Sequence, residues 1–224
     1  MASLPENIAR VAAYYAAQAH EFDEISGFGK DFVEEVYGPL KVIYQTAFKG
    51  RRVLELACGT GYWTEALAKT AEFVLATDIN PELVALAKQK LCSLQNVECR
   101  VSSAYSMEGV PETFTGAFAH FWWSHVPIKK QVEFLDTLHA RLEPGALVLL
   151  ADHIRYEAPT VRRRVDEHGD TYEERVLRDG RRFETIKNFP DQWSFADLLG
   201  DRAEDIQFTT HANNFIWTLF YRVR

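Results

Sequence analysis

The chain has 224 residues, of which 47% are hydrophobic and 25% are charged. This length favours a single domain, and the composition excludes a disordered chain, a collagen-like repeat and a disulfide scaffold. The formal net charge of −7 makes long nucleic acid a poor partner, because an acidic surface repels a phosphate backbone. The apolar stretches at 114–123 and 146–151 are too short for a membrane span, and residues 1–25 show no secretory signal. We therefore expect a soluble protein with no membrane partner.

The three cysteines, Cys58, Cys92 and Cys99, are odd in number and form no C-x-x-C pair. This pattern predicts free thiols in the reducing cytoplasm, without disulfides or a structural zinc site. The histidines lack the spacing of known metal motifs, so no metal is expected.

The first 45 residues have helical periodicity. Ser3 is predicted to cap a helix whose apolar face includes Ile8, Val11 and Tyr15. A second helix is predicted over 32–48, after a glycine-rich joint.

After Gly50, short apolar runs alternate with helical patterns. The predicted strands are 52–57, 73–77, 97–101, 117–122 and 147–151, and the predicted helices between them are 63–69, 81–94 and 129–142. Asn80 and Pro81 form a typical helix start, with asparagine as N-cap and proline at the first helical position. Strands that are apolar on both faces and alternate with helices indicate a parallel sheet covered by helices. We therefore predict a doubly wound α/β fold.

Beyond Asp152 this alternation stops. The segments 171–178 and 181–187 flank Asp179 and Gly180, a pair typical of a two-residue hairpin turn. A helix over 192–199 and an antiparallel pair of strands, 206–211 and 215–223, are predicted to complete the chain.

The segment from Glu55 to Gly61 combines an apolar strand with two glycines that lead into a helix. Gly59 and Gly61 would permit a tight turn and the close approach of a ligand to the backbone. Asp78 follows the next strand, where nucleotide-binding α/β proteins place an acid that holds ribose hydroxyls. Other interpretations remain open: the glycines only make a turn, Asp78 caps the following helix, and the unusual Glu55 pairs with an arginine.

This pattern, Glu55-x-x-x-Gly59-x-Gly61 followed by Asp78, resembles the first two motifs of the class I S-adenosylmethionine-dependent methyltransferases. The resemblance covers residues 51–152 by motif and implies a mostly parallel seven-stranded sheet with an antiparallel C-terminal hairpin. It implies that the glycine loop backs the methionine part of S-adenosylmethionine, that Asp78 holds the ribose, and that Ile79 packs on adenine. In this sequence Ser103 replaces the acid that commonly lies near the adenine amino group. The cofactor-binding residues implied are Tyr15, Glu55, Ala57, Gly59, Gly61, Asp78, Ile79, Ser103, Ala104 and Phe121.

The resemblance also divides the single domain into functional segments. It implies a helical lid over 1–48, a cofactor-binding core over 51–152, an insertion over 153–190, and a closing helix and hairpin over 191–224. Tyr15 belongs to the lid, whose closure would shield the cofactor and remove water from the acceptor.

Methyl transfer depends mainly on alignment of the acceptor, and a hydroxyl acceptor also benefits from a base. His125 follows the fourth predicted strand and is the first candidate for a base or an acceptor-orienting group; His153, after the fifth strand, is the second. A helix-capping role for His125 remains open. Asp152 either orients a histidine or pairs with a nearby arginine, which is the commoner arrangement.

The sequence therefore predicts an enzyme that transfers a methyl group from S-adenosylmethionine to nitrogen or oxygen of a small molecule. A homodimer remains open. The alternatives are a tRNA or protein methyltransferase, a non-catalytic cofactor-binding protein and, least favoured, a nicotinamide-dependent reductase. The basic triplet at 162–164 and the basic pair at 181–182 have acidic neighbours, which favours a solvated surface over an RNA-binding patch.

Overall fold

The computed structural model describes residues 6–111, 113–156 and 161–224. Its N-terminal part is helical, as predicted, and Ser3, the predicted cap, lies outside the described residues. The helices are α1 (Glu6–Ala17), a short 3-10 helix (Ala19–Glu21), α2 (Phe22–Ser26) and α3 (Asp31–Ala47). Three side chains on one face of α3, Val33, Leu40 and Tyr44, are buried, which anchors this helix to the rest of the chain.

A seven-stranded sheet forms the centre of the molecule. Its strands are β1 (Arg52–Leu56), β2 (Phe73–Asp78), β3 (Val97–Val101), β4 (Phe114–His120), β5 (Leu142–His153), β9 (Ala203–His211) and β10 (Ile216–Val223). The spatial order is β3-β2-β1-β4-β5-β10-β9. The first five strands in this order run parallel to one another, and β10 is antiparallel to both β5 and β9. The predicted sheet and its C-terminal antiparallel hairpin are confirmed.

Both faces of the central strands are buried, because helices cover the sheet on both sides. In β1, Val53 joins the core on one face, and Leu54 and Leu56 join the core on the other. The covering helices include α4 (Tyr62–Ala68), α5 (Pro81–Lys90), α6 (Gln131–His139) and α7 (Gln192–Leu199). This arrangement brings the loops after β1, β2, β3, β4 and β5 to one edge of the sheet, where parallel α/β sheets bind ligands.

The insertion forms a second, three-stranded antiparallel sheet of β6 (Arg163–Val165), β7 (Thr171–Val176) and β8 (Arg182–Ile186). Strand β6 was not predicted. The turn between β7 and β8 differs from the prediction, because Gly180 donates its N–H to Leu177 and occupies the fourth position of the turn. With φ of +87°, Gly180 ends a three-residue loop of the kind that includes a bulge. Strand β8 packs against α1, so the insertion and the N-terminal helices meet.

The limits of β4 and β5 differ most from the predicted ones. Strand β4 was predicted over 117–122 but begins three residues earlier and ends at His120, because Phe121 turns the backbone away with φ of +60°. Strand β5 was predicted over 147–151 but extends from Leu142, through Pro144 and Gly145. Within the described residues, no helix combines the length and apolar character needed to cross a bilayer.

Candidate active site

The loop after β1 turns sharply into α4. Ala57, Gly59 and Gly61 all have positive φ values, 52°, 57° and 85°. A Cβ atom at Gly61 would lie 2.7 Å from Leu91 Cδ1, so glycine is needed there for packing against α5. At Gly59 the space for a Cβ opens toward Phe22 on the N-terminal segment. Gly61 therefore serves the fold, and Gly59 faces the site.

Asp78 ends β2 and is bound to the glycine loop. Its Oδ2 accepts the N–H of Gly59 at 3.0 Å, and its Oδ1 accepts the N–H of Asn80 at 2.9 Å. Burial raises the pKa of this carboxyl, although these backbone bonds act in the opposite direction. Each oxygen keeps further acceptor capacity, since a carboxylate offers about four lone-pair positions.

Glu55 lies beneath the glycine loop and is buried. It does not pair with an arginine among the described residues, and its Oε2 has no hydrogen-bond partner there. Burial raises the pKa of Glu55 to about 8, and the nearby Thr64 side chain partly offsets this effect. At neutral pH the side chain is therefore mainly the uncharged acid.

A cavity of about 970 Å³, including its mouth, lies along the carboxyl edge of the sheet and beneath the N-terminal helices. Its lining includes Gly59, Asp78 and Ile79, together with Tyr15 and His125. Aromatic rings make up much of the remaining wall: Phe22, Phe28, Tyr62, Trp63, Tyr105, Phe121 and Trp122. Such a wall suits a cationic or flat aromatic ligand.

His125 is buried and makes two ring hydrogen bonds. Its Nδ1 lies 2.5 Å from the carbonyl oxygen of Ile186, which can only accept, so Nδ1 carries the proton. Nε2 is then an acceptor, and the Tyr15 hydroxyl donates to it at 2.9 Å. Burial lowers the pKa of His125 to about 3, so the ring is neutral at physiological pH. His125 does not cap the following 3-10 helix, because both of its ring nitrogens bond elsewhere.

A second buried polar cluster lies behind His125. Lys187 Nζ donates to Asp152 Oδ1 and to Ser124 Oγ, both at 2.8 Å, and is 3.4 Å from His153 Nδ1. Asp152 therefore pairs with a lysine, not with the arginine expected from the sequence. The Lys187 charge holds the pKa of Asp152 well below its usual range. His153 stacks on Phe121, with ring centroids 4.2 Å apart.

The N-terminal helices cover the cavity, and polar side chains in and just before α2 hold them in place. Asp23 accepts hydrogen bonds from Thr60 in the glycine loop and from Lys90 on α5. Arg178, in the β7–β8 turn, pairs with Glu21 at 3.7 Å and Glu24 at 3.1 Å. The predicted lid segment thus lies over the site and contacts both the core and the insertion.

Most of the predicted site residues line this cavity: Tyr15, Ala57, Gly59, Asp78, Ile79, Ser103, Ala104, Phe121 and His125. Glu55, Gly61 and His153 lie outside its lining. Ser103 Oγ accepts the N–H of Tyr105 at 3.3 Å, so this loop offers a hydroxyl where the family commonly has an acid. The roles of all these residues stay predictions.

Sequence reasoning missed Tyr62, Tyr105 and Lys187. The ring of Tyr62 stacks on Phe28 at 3.9 Å, and the hydroxyl of Tyr105 donates to the carbonyl of His125. Tyr62 directly follows Gly61, so the glycine motif itself could have pointed to it. No local pattern connects Lys187 with Asp152, 35 residues earlier.

Comparison with known proteins supports the same family. A family model described as a methyltransferase domain matches residues 53–145. A ubiquinone biosynthesis O-methyltransferase from Xanthomonas campestris is 29% identical over 142 residues, which are 61% of this chain and 58% of the relative. A demethylmenaquinone methyltransferase from Lactiplantibacillus plantarum is 30% identical over 116 residues, 49% of this chain and 48% of that protein. The chain thus spans about half the length of these curated relatives.

Solved structures resemble the whole chain. A complex of DhpI with SAH has a TM-score of 0.76 and 25% identity, and the match covers 99% of this chain and 98% of that one. A SAM-dependent methyltransferase from Aquifex aeolicus, 18% identical, has a TM-score of 0.66 over 93% of this chain and 98% of that one. With the glycine loop and Asp78 in place, these matches show the class I S-adenosylmethionine-dependent methyltransferase fold, with a methyltransferase domain over residues 53–145.

Proposed function

We propose that this protein transfers a methyl group from S-adenosylmethionine to oxygen or nitrogen of a small-molecule acceptor. The observation that carries the proposal is one covered cavity whose lining includes both the Gly59–Asp78 pair and the Tyr15–His125 pair. The first pair has the composition of a cofactor site, and the second presents a phenol oxygen that can accept a hydrogen bond.

Gly59, Asp78 and Ile79 suit the cofactor. Asp78 would accept hydrogen bonds from the ribose hydroxyls, because its present partners are two backbone N–H groups and further lone pairs remain. Ile79 would pack on the adenine, and Gly59 would allow close backbone approach. When bound, S-adenosylmethionine supplies a methyl group on a positively charged sulfur, and the aromatic wall favours such a charge.

The Tyr15–His125 pair would orient the acceptor. Because His125 Nε2 is fixed as a hydrogen-bond acceptor, the Tyr15 proton points toward it. The phenol oxygen of Tyr15 can then accept a hydrogen bond from the molecule that is to be methylated. A neutral His125 with a strongly lowered pKa is a weak base, so its main contribution is alignment of the methyl acceptor. The N-terminal helices would exclude water while the methyl group moves.

Several features favour a small acceptor. The cavity is covered by α1 and α2, which leaves little room for a folded macromolecule, and the net charge of −7 disfavours RNA. The curated relatives are named for ubiquinone biosynthesis and for demethylmenaquinone. A cytoplasmic location and a homodimer are part of this proposal only as sequence-based expectations.

The direct test is transfer of label from methyl-labelled S-adenosylmethionine to a broad panel of small metabolites, to bulk tRNA and to bulk protein. We expect label in the small-molecule fraction with the wild type and much less with Asp78→Ala. Label found only in tRNA or only in protein would show that the acceptor class is wrong.

A further inference from the structure

The inner face of the β6–β8 sheet carries a buried charged row. Arg163, Glu173 and Thr185 are aligned across the three strands. Arg163 Nε contacts Glu173 Oε1 at 2.7 Å, and Arg175 Nη2 pairs with Glu173 Oε2. The Glu173 side chain is fully buried, and those of Arg163 and Arg175 are 13% and 27% exposed. This row corrects the expectation that the 162–164 segment forms only a solvated surface.

Three hydrogen-bond donors in this row are buried and unused. Arg163 Nη2, Arg175 Nε and Thr185 Oγ1 have no hydrogen-bond partner among the described residues, and the acceptor Glu173 Oε2 has only its ion-pair contact with Arg175 Nη2. A buried unpaired donor destabilises the folded state, and more strongly when the group is charged. Three such donors around one carboxylate indicate that an acceptor group from outside the described chain belongs there.

The charges around the row do not balance. Arg163, Arg175 and Lys187 supply three positive charges, whereas Glu173 and Asp152 supply two negative charges. Lys187 is occupied by Asp152 and Ser124, so the surplus positive charge belongs to the two guanidinium groups. A buried net charge is expensive unless a counter-charge accompanies it.

The row is linked to the cavity wall through neighbouring residues, although its three donor residues are not among those that line the cavity. Thr185 precedes Ile186, whose carbonyl accepts the His125 proton. The charge of Arg175 acts on the Tyr15 phenol and partly offsets the increase in pKa that burial causes. The guanidinium of Arg163 lies over the Tyr156 ring at 5.0 Å, next to His153. An acceptor that reached Tyr15 could therefore extend a polar group to these donors.

We propose that Arg163, Arg175 and Thr185 form an oxyanion subsite that binds a carboxylate or phosphate group of the methyl acceptor. Guanidinium groups match such oxygens in geometry and charge. The acceptor is then a small organic acid whose reactive atom lies at the Tyr15–His125 pair. This inference rests on the proposed function, since it names the acceptor class of the same cavity.

The test measures anion binding without requiring turnover. Protein saturated with S-adenosylhomocysteine is titrated by calorimetry with benzoate, with phenyl phosphate and with benzamide, which has the shape of benzoate without the charge. Binding of either anion, at least tenfold tighter than that of benzamide, is expected. The two anions separate a carboxylate subsite from a phosphate subsite.

Two variants and a matched control assign the binding to the row. Arg175→Gln removes one donor and its charge, and Thr185→Val removes one hydroxyl at nearly constant shape. Arg175→Gln should weaken anion binding about tenfold or more, and Thr185→Val several-fold, with unchanged affinity for S-adenosylhomocysteine. Arg182→Gln is the control, because Arg182 lies in the same small sheet but is 62% exposed and pairs with Glu174.

The subsite is wrong if both anions bind no better than benzamide, or if Arg175→Gln and Thr185→Val bind them as the wild type does. Circular dichroism and thermal unfolding identify a variant that fails to fold, and Thr185→Val then carries the comparison. Failure to bind S-adenosylhomocysteine would contradict the proposed function instead, and the anion titration of the ligand-free protein would still report on the subsite.

Discussion

Asp78 connects two loops that meet only in the folded chain. Its carboxylate joins the end of β2 to the backbone of Gly59, 19 residues earlier, and lines the cavity. Asp78→Ala should weaken binding of S-adenosylhomocysteine by about 1–3 kcal/mol, because charge-assisted hydrogen bonds to the ligand are lost. Calorimetry measures this change. Asp136→Ala is the control, because Asp136 lies on α6, is exposed and pairs with Arg202. This variant should bind S-adenosylhomocysteine as the wild type does.

Glu55 should make the stability of the protein depend on pH. Its pKa is raised to about 8 in the folded state, so the folded chain holds a proton that the unfolded chain releases above about pH 4.5. The stabilisation is full below pH 4.5 and is lost as the pH rises to 8, by up to about 1.4 kcal/mol per pH unit.

The measurement is urea unfolding of the wild type and of Glu55→Gln at pH 5, 6, 7 and 8. Glutamine mimics the protonated acid, so the difference between the two proteins isolates this residue. We expect the wild type to lose stability relative to Glu55→Gln as the pH rises. A constant difference would show that Glu55 is already ionised in the fold.

His125→Ala and Tyr15→Phe should each lower turnover about 10- to 100-fold and leave the affinity for S-adenosylhomocysteine nearly unchanged. Because the pKa of His125 is about 3, the pH profile should show no acidic limb near 6.5 from this residue. His139→Ala is the matched control, since His139 forms a similar pair with the Tyr221 hydroxyl at 3.0 Å, outside the cavity lining. A parallel loss of turnover and cofactor affinity in His125→Ala would indicate a structural histidine.

At the scale of elements, the order of strands and helices was predictable and their limits were less so. The apolar runs of β1 and β2 and the Asn80–Pro81 helix start are local signals, and the structure reproduces them. The predicted range of β4 began too late because Thr115 and Gly116 interrupt the apolar pattern, although both residues belong to the strand. Strand β6 has only three residues, too few for a recognisable strand pattern in the sequence. It is a strand because it pairs with β7.

The ion pairs between the N-terminal helices and the β7–β8 turn can be tested by charge reversal. Arg178 is 56% exposed, so its pairs with Glu21 and Glu24 add little to global stability. Arg178→Glu reverses the charge and should loosen α2 from the insertion. We expect a several-fold faster release of S-adenosylhomocysteine in stopped-flow experiments, with a change of less than about 1 kcal/mol in unfolding free energy. Arg182→Glu, which breaks a pair within the insertion, should release the ligand at the wild-type rate.

Across the whole molecule, charge is distributed in a way that composition conceals. The chain is acidic overall, yet Arg163, Arg175 and Lys187 are gathered on the inner side of the insertion. The glycine loop and Asp78 could be found from sequence because a short glycine motif is followed by an acid at a typical spacing. The Tyr15–His125 and Asp152–Lys187 pairs could not, since each joins segments that only the packing of α1 and β8 brings together.

The measurement that tests the central claim most directly is thermal unfolding of the purified protein with S-adenosylmethionine, S-adenosylhomocysteine or NAD. A ligand at about a hundred times its dissociation constant adds about 2.7 kcal/mol to the folded state. For a chain of this size the midpoint should rise by about 5–10 °C. We expect this increase with both adenosyl compounds and none with NAD. An increase with NAD alone, or none with either adenosyl compound in protein that mass spectrometry shows to be ligand-free, would contradict the proposed function.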